Sequence, residues 1–189
     1  MDLYEAVEKR RTIRAFKKRA SEEQLKKIML AGTKAPSAVN RQPWEFIIVE
    51  DEKIIDQLSG IKYRQTKGNP PEKVKGDPDA IEKLARAQRD SFRNASIVAV
   101  CHLAEWERSV WMCIENMSLA AVAEGLGSGI VLYWAEGQKE AGRVLGLPED
   151  VEVTAILKIG VPGEEGYPRD GNPYMPRRPE FSWLHKDRF

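Results

Sequence analysis

The apolar positions of the chain fall into two periods. Helical spacing comes first: Asp2 is placed to cap a helix carrying Leu3, Ala6 and Val7 on one face. Ser21-Glu22-Glu23-Gln24 is a capping box opening a second helix with Leu25, Ile28, Met29 and Ala31 inward, and Gly32 marks its exit. Trp44-Glu45-Phe46-Ile47-Ile48-Val49 is β-prone and mostly apolar, which predicts a strand buried on both faces. Asp51 then caps a short helix through Ile54, Ile55 and Leu58. Ser96 to Cys101 predicts a second buried strand, Ile130 to Trp134 a third and Val151 to Gly160 a fourth. The longest helix is predicted from Ala104 to Gly125, with Val110, Ile114, Met117 and Ala121 near helical spacing. So apolar a helix suits a central place, shared with a second subunit. Gly125-Leu126-Gly127-Ser128-Gly129 is expected to end it. A further helix spans about Gln138 to Leu145, stopped by Gly146-Leu147-Pro148.

Two stretches lack either period. From Gly60 to about Arg93 the residues turn polar and charged, broken by Gly68-Asn69-Pro70-Pro71 and Gly76-Asp77-Pro78, with a helix expected from Asp79. A long irregular insertion in a compact domain is a lid or a disordered loop, and a lid with part of it mobile is favoured. The tail from Val161 to Phe189, rich in proline, glycine, arginine and aromatics, is expected to lie across another surface. No repeat or linker divides the chain, so 1–189 is read as one domain.

Composition narrows the function. The chain has 189 residues, is 42% hydrophobic and 31% charged, and carries a net charge of +1, a soluble globular balance that argues against a dedicated nucleic-acid binder. Two cysteines, Cys101 and Cys113, make no disulfide framework and fit a reducing compartment. With no apolar run long enough for a bilayer and no signal-peptide core, the expectation is a cytoplasmic protein without a membrane partner.

The candidate chemistry centres on Arg10-Arg11-Thr12-Ile13-Arg14-Ala15-Phe16. If the first helix ends near Arg10, the extended chain beyond it points Arg10, Thr12 and Arg14 to one side, where two guanidinium forks and a hydroxyl can take a phosphate. Ile13 faces the other way, with Phe16 nearby as an anchor. With Lys17, Lys18 and Arg19 following, a solvated basic surface is the competing explanation. Ala35 to Pro43 is a polar loop between two prolines, leading straight into a strand; it is either a rigid ligand-contacting segment or a connecting turn. No Gly-x-Ser-x-Gly elbow occurs. Cys101 and His102 point to opposite faces of a strand, which disfavours a metal centre. Gly125 to Gly129 follows a helix instead of opening one, unlike a dinucleotide loop. An arginine set and a polar loop with hardly any acid–base machinery point to an organic cofactor that carries the chemistry itself.

Together the pieces resemble the FMN-dependent nitroreductase family. The likeness rests on Arg10 to Phe16, Ala35 to Phe46, Glu115-Asn116-Met117-Ser118-Leu119-Ala120-Ala121, Gly125-Leu126-Gly127-Ser128, Gly146-Leu147-Pro148-Glu149 and Pro176-Arg177-Arg178-Pro179, in order over nearly the whole chain. It implies an α+β fold, a three-layer sandwich with a central, mostly antiparallel sheet flanked by helices. It also implies a homodimer with exchanged tails and two flavins at the interface. By the resemblance, Arg10, Thr12 and Arg14 hold the FMN phosphate with Arg11 nearby, and Arg177, with Arg178, closes over it. Pro36, Ser37, Ala38 and Asn40 reach the flavin from the partner, and the backbone at Val131 and Leu132 meets flavin N5, although the family often has glycine near Leu132 or Tyr133. The implied reaction is ping-pong: NADH or NADPH gives hydride to N5, and a flat oxidised acceptor takes it. Iodotyrosine deiodinases of this family grip their substrate with a Glu, Tyr and Lys set on the lid; Tyr63 and several lysines are available here, without a convincing fit to that pattern. The branch that fragments flavin to make the lower ligand of vitamin B12 is a further member. A non-catalytic flavin-delivery protein is the alternative on the same scaffold, and a nucleic-acid patch over Lys9 to Arg19 lacks interleaved aromatics.

Overall fold

A computed structural model describes residues 1–103, 105–163, 178–179 and 181–188. In order the elements are α1 (Leu3–Lys9), β1 (Phe16–Arg19), α2 (Glu22–Gly32), β2 (Trp44–Val49), α3 (Glu52–Gly68), α4 (Pro78–Asp90), β3 (Ser96–Leu103), α5 (Glu107–Ala123), β4 (Gly127–Val131), α6 (Glu136–Leu145) and β5 (Val151–Pro162). β5 is the centre of the sheet. It pairs antiparallel with β3, β4 and β1, and β3 pairs antiparallel with β2.

The two-residue period of the strands divides the core in two. On β3, Ile97, Ala99 and Cys101 face one cluster with Ile55, Leu58 and Ile61 of α3 and Ala141 of α6. Val98 and Val100 face the other, with Leu25 and Ile28 of α2 and Val110, Ile114 and Met117 of α5. Helices therefore cover both faces of an antiparallel sheet, the expected three layers. Gly32 does more than end α2: a Cβ there would stand 2.7 Å from Met117 Cγ and 2.9 Å from Cys113 Sγ, so its absence lets α2 cross α5 closely.

Local chemistry agrees with the expectations at several helix ends. Asp2 Oδ1 accepts from the Glu5 N–H at 2.9 Å, and Ser21 and Gln24 form the reciprocal capping box. The departures concern burial and boundaries. In α1 only Ala6 is buried, while Leu3 and Val7 are 64% and 53% exposed, because one seven-residue helix resting on α5 can bury only one row. β2 is half-buried instead of covered on both faces, since it is the edge strand beside β3. The short helix after Asp51 runs on to Gly68, while the helix expected from Asp79 is present as Pro78–Asp90, so the rest of the stretch expected to be irregular is largely helical too, with Ile61, Thr66 and Ala85 buried. Of the glycine run after α5, only Gly125, at φ +73°, serves as the exit; Gly127 to Gly129 already belong to β4, which ends at Val131. Among the described residues no helix is long and apolar enough to cross a membrane.

Candidate functional site

α1 ends where the sequence predicts: Arg10 leaves the helix with φ −60° and ψ 125°, and its N–H still donates to the Ala6 carbonyl. The chain then runs beside β4. Thr12 bridges Ser128 in parallel, the Ile13 N–H donates to the Ser128 carbonyl at 2.8 Å, and Ile13 is buried while Arg11, Thr12 and Arg14 stay exposed. Two glycines make this approach possible. A Cβ on Gly127 would lie 2.3 Å from Ile13 Cγ1, and one on Gly129 would lie 2.3 Å from the Ile13 carbonyl oxygen.

The arginines divide their tasks. Arg10 Nε is 3.4 Å from Glu115 Oε1 of α5, and Arg11 turns back to donate to the Glu8 and Arg10 carbonyls. Asn116, the neighbour of Glu115, donates to the Ala31 carbonyl at 3.3 Å and ties α5 to α2. Arg14 donates only weakly, at 3.4 Å, to the Thr12 carbonyl. It lines a cavity of about 510 Å³ with Phe16, Leu84, Ala87, Asp90 and Ser91.

The end of β4 gathers groups that the sequence did not single out. Val131 is buried, and the Leu132 carbonyl accepts from Lys62 Nζ at 3.3 Å and Gln65 Nε2 at 3.1 Å; Gln65 Oε1 accepts from the Trp134 N–H at 3.0 Å. Lys62 also lies 4.9 Å from the Trp134 ring centre, and burial lowers its pKa. On β5, opposite Gly129, Lys158 is 3% exposed and donates to Ser91 Oγ at 2.6 Å. Burial first, then Arg14 and Lys62, push its ammonium down to about 7. No carboxylate is ion-paired with Arg14, Lys62 or Lys158 among the described residues; Asp90 Oδ1, in the cavity that Arg14 lines, lies 3.6 Å from Arg89 and 3.4 Å from Arg93 and is buried without a hydrogen-bond partner. Lys158 carries a legible signal, the one charge in the apolar run from Ala155 to Pro162, whereas Lys62 is hidden in a largely polar segment.

The loop before β2 is ordered by its own polar groups. The Asn40 N–H donates to the Ser37 carbonyl at 3.0 Å and the Gln42 N–H to Ser37 Oγ at 2.9 Å, holding Val39, Asn40 and Gln42 at φ 48°, 55° and 51°. Pro36, Ala38 and Asn40 are exposed. No hydrogen bond or ion pair joins this loop to Arg10 to Arg14 among the described residues. Trp44 sits opposite His102, which sits opposite Glu152, whereas Ser128 sits opposite Ile159. The two levels differ by seven residues of β5, about 23 Å at strand rise. Arg178 is exposed and joins none of these groups, and Arg177 lies outside the described residues. Cys101 and His102 are both buried, His102 with Nδ1 2.8 Å from Thr154 Oγ1.

Comparison with known proteins fits this architecture. The profile of the Nitroreductase family matches residues 7–161. The chain belongs to the nitroreductase family. It is 31% identical over 185 residues to the iodotyrosine deiodinase of Thermotoga neapolitana, covering 93% of each chain. It is 28% identical over 187 residues to an NADH dehydrogenase of Thermus thermophilus, covering 89% of this chain and 90% of that one. A crystal structure of oxidised iodotyrosine deiodinase bound to FMN and 3-iodo-L-tyrosine superposes with a TM-score of 0.71 at 27% identity, over 90% of this chain and 96% of that chain.

Proposed function

We propose that the protein is an FMN-dependent oxidoreductase that works as a homodimer. The observation that carries this reading is the basic set beside β4, Arg14, Lys62 and the buried amine of Lys158, none of them ion-paired with a carboxylate among the described residues. Such a set is costly unless an anion completes it. The donor chemistry suits a flavin nucleotide, with guanidinium and hydroxyl groups at Arg10, Arg11, Thr12 and Arg14 for the phosphate, joined by Arg177 and Arg178 of the tail. Val131 and Leu132 supply backbone near the ring, and Lys62, which donates to the Leu132 carbonyl, supplies positive charge beside it. The separation of the 36–40 loop from Arg10 to Arg14 supports a site shared by two chains, in which Pro36, Ser37, Ala38 and Asn40 come from the partner.

The chemistry that bound FMN supplies is hydride transfer, taken from NADH or NADPH at N5 and given to a flat oxidised acceptor in a ping-pong cycle. The protein needs no nucleophile for this; its residues bind, orient and supply charge. An anaerobic titration tests the reading: the purified protein shows flavin absorbance that bleaches with NADH or NADPH and returns with a quinone or nitroaromatic. Arg14→Ala loses most of its FMN on dialysis. A protein that stays colourless after incubation with FMN refutes the proposal, and one that binds FMN but never bleaches is a carrier.

A second acceptor class has an observation of its own. Tyr63 Oη donates to Glu82 Oε2 at 2.8 Å, and Lys67 Nζ donates to the same oxygen at 2.7 Å, so a Glu, Tyr and Lys set stands together on the α3–α4 hairpin. With the 31% identity to a deiodinase, this supports a halogenated tyrosine as acceptor. Release of iodide from 3-iodotyrosine by the dithionite-reduced protein tests it, and no iodide release removes this reading.

A further inference from the structure

Between the end of β1, the start of α3 and the end of α4 lies a second cavity, of about 590 Å³, a size that suits a small molecule. Ile55 and Phe92 give it apolar lining, and Arg19, Arg89 and Arg93 bring three guanidinium groups to it. Arg19 Nη2 donates to Glu52 Oε1, whereas Arg89 and Arg93 donate no hydrogen bond among the described residues. Arg89 is held in place all the same, its guanidinium 5.5 Å from the Tyr63 ring centre. Asp90 stands beside both. Its Oδ1 lies 3.6 Å from Arg89 Nε and 3.4 Å from Arg93 Nη2, shielded from solvent and without a hydrogen-bond partner. A buried acceptor that lacks a donor, next to guanidinium N–H groups that lack acceptors, is the complement of a ligand carrying a hydroxyl close to an anion. A ribose phosphate has that pairing, and a base attached to it needs an apolar surface such as Ile55 and Phe92 offer. Asp90, Arg93 and Asn94 also line the cavity of Arg14, so the two spaces adjoin.

We propose that this cavity binds the adenosine phosphate half of the nicotinamide donor: Arg89 and Arg93, with Arg19, take phosphate oxygens, Asp90 accepts from a ribose hydroxyl, and the base lies against Ile55 and Phe92. That the ligand is a hydride donor rests on the FMN reading above; that a nucleoside phosphate binds here does not. Asp90 also sets the choice of donor. The three arginines are balanced by Glu52, Asp56 and Asp90 in the same lining, so the cavity has no surplus of positive charge for a further phosphate. A carboxylate accepts from a 2′-hydroxyl and repels a 2′-phosphate, which favours NADH over NADPH.

Calorimetric titration of the purified protein with 5′-AMP and with 2′,5′-ADP tests this, the flavin content being read from the visible spectrum of the same sample. Wild type is expected to bind 5′-AMP more tightly than 2′,5′-ADP. Arg89→Ala/Arg93→Ala removes two charge-assisted contacts and should weaken 5′-AMP at least about tenfold. Those side chains are 43% and 74% exposed, so the fold does not depend on them. Asp90→Asn puts a donor where an acceptor stood and should erase the preference for 5′-AMP over 2′,5′-ADP. In anaerobic bleaching of bound flavin, the kcat/KM of NADH relative to reduced nicotinamide mononucleotide, which lacks the adenosine half, should fall about tenfold in the double variant. Wild type that binds no 5′-AMP, or a double variant that binds it equally well, overturns the site. Tighter binding of 2′,5′-ADP than of 5′-AMP by wild type overturns the role of Asp90. A protein that binds 5′-AMP through these arginines but never holds FMN refutes the cofactor reading and leaves the nucleotide site standing.

Discussion

A lysine held inside a sheet leaves a trace in the pH dependence of folding. In the unfolded chain Lys158 titrates near 10.5, and in the fold near 7, because burial and two neighbouring cations disfavour its charge. Between these values the unfolded state binds the proton and the native state does not, so stability rises with pH across that window. Cys101 and Cys113 are pushed up to about 12 and Tyr133 is raised further, and these act in the opposite sense above about pH 9, where their unfolded forms ionise. The clean interval is therefore pH 7 to 9, where wild-type apoprotein should gain about 2 kcal/mol relative to Lys158→Met in urea unfolding. At pH 7 and below, the variant should be the more stable protein. Equal pH slopes in the two proteins would mean that Lys158 keeps its charge in the fold.

At the level of elements, chemistry written in neighbouring residues was legible and chemistry written across the fold was not. Asp2, Ser21 with Gln24, and Gly146 at φ +67° mark helix ends through contacts a few residues long, and they lie where the sequence places them. The continuation of α3 beyond Leu58 escaped, whereas α4 was expected from Asp79; the apolar side there is thin, with Ile61 and Thr66 spread among charges that pair along the surface, such as Lys67 and Arg86 with Glu82. Glu82 is held down to about 2 by these donors, so the pairing persists at any physiological pH. The glycines of β4 were misplaced for a different reason. Gly127 and Gly129 answer to Ile13, more than a hundred residues earlier, and no local pattern reports that contact. Gly129→Ala is accordingly expected to destabilise by about 1–3 kcal/mol, since its Cβ meets a backbone oxygen that cannot turn aside. Gly68→Ala at the end of α3, where nothing lies within 4 Å, should change stability little and serves as the control in the same urea titration. A neutral Gly129→Ala would show that the Ile13 segment can lift away from β4.

On the scale of the whole molecule, the two groups of candidate residues belong to different levels of the sheet. Arg14 stands at the Ser128 level of the sheet, and Ser37 and Asn40 stand beyond the edge strand at the Glu152 level. The exposed apolar residues Leu3, Tyr4 and Val7 of α1 and Met112 of α5 give the surface that a second copy would cover. If each flavin site takes Arg14 from one chain and the 36–40 loop from the other, two inactive proteins should repair each other. Arg14→Ala and a Ser37→Ala/Asn40→Ala double variant are each expected to lose most bound FMN. Dissociated, mixed in equal amounts and allowed to reassociate, half of their dimers contain one of each chain. In such a dimer one site unites both intact halves and the other unites both damaged ones, so total occupancy should recover to about a quarter of wild type. A site built within one chain predicts no recovery, because every chain then carries its own lesion. Flavin absorbance of the remixed sample after gel filtration distinguishes the two, and it does so without any assumption about the acceptor.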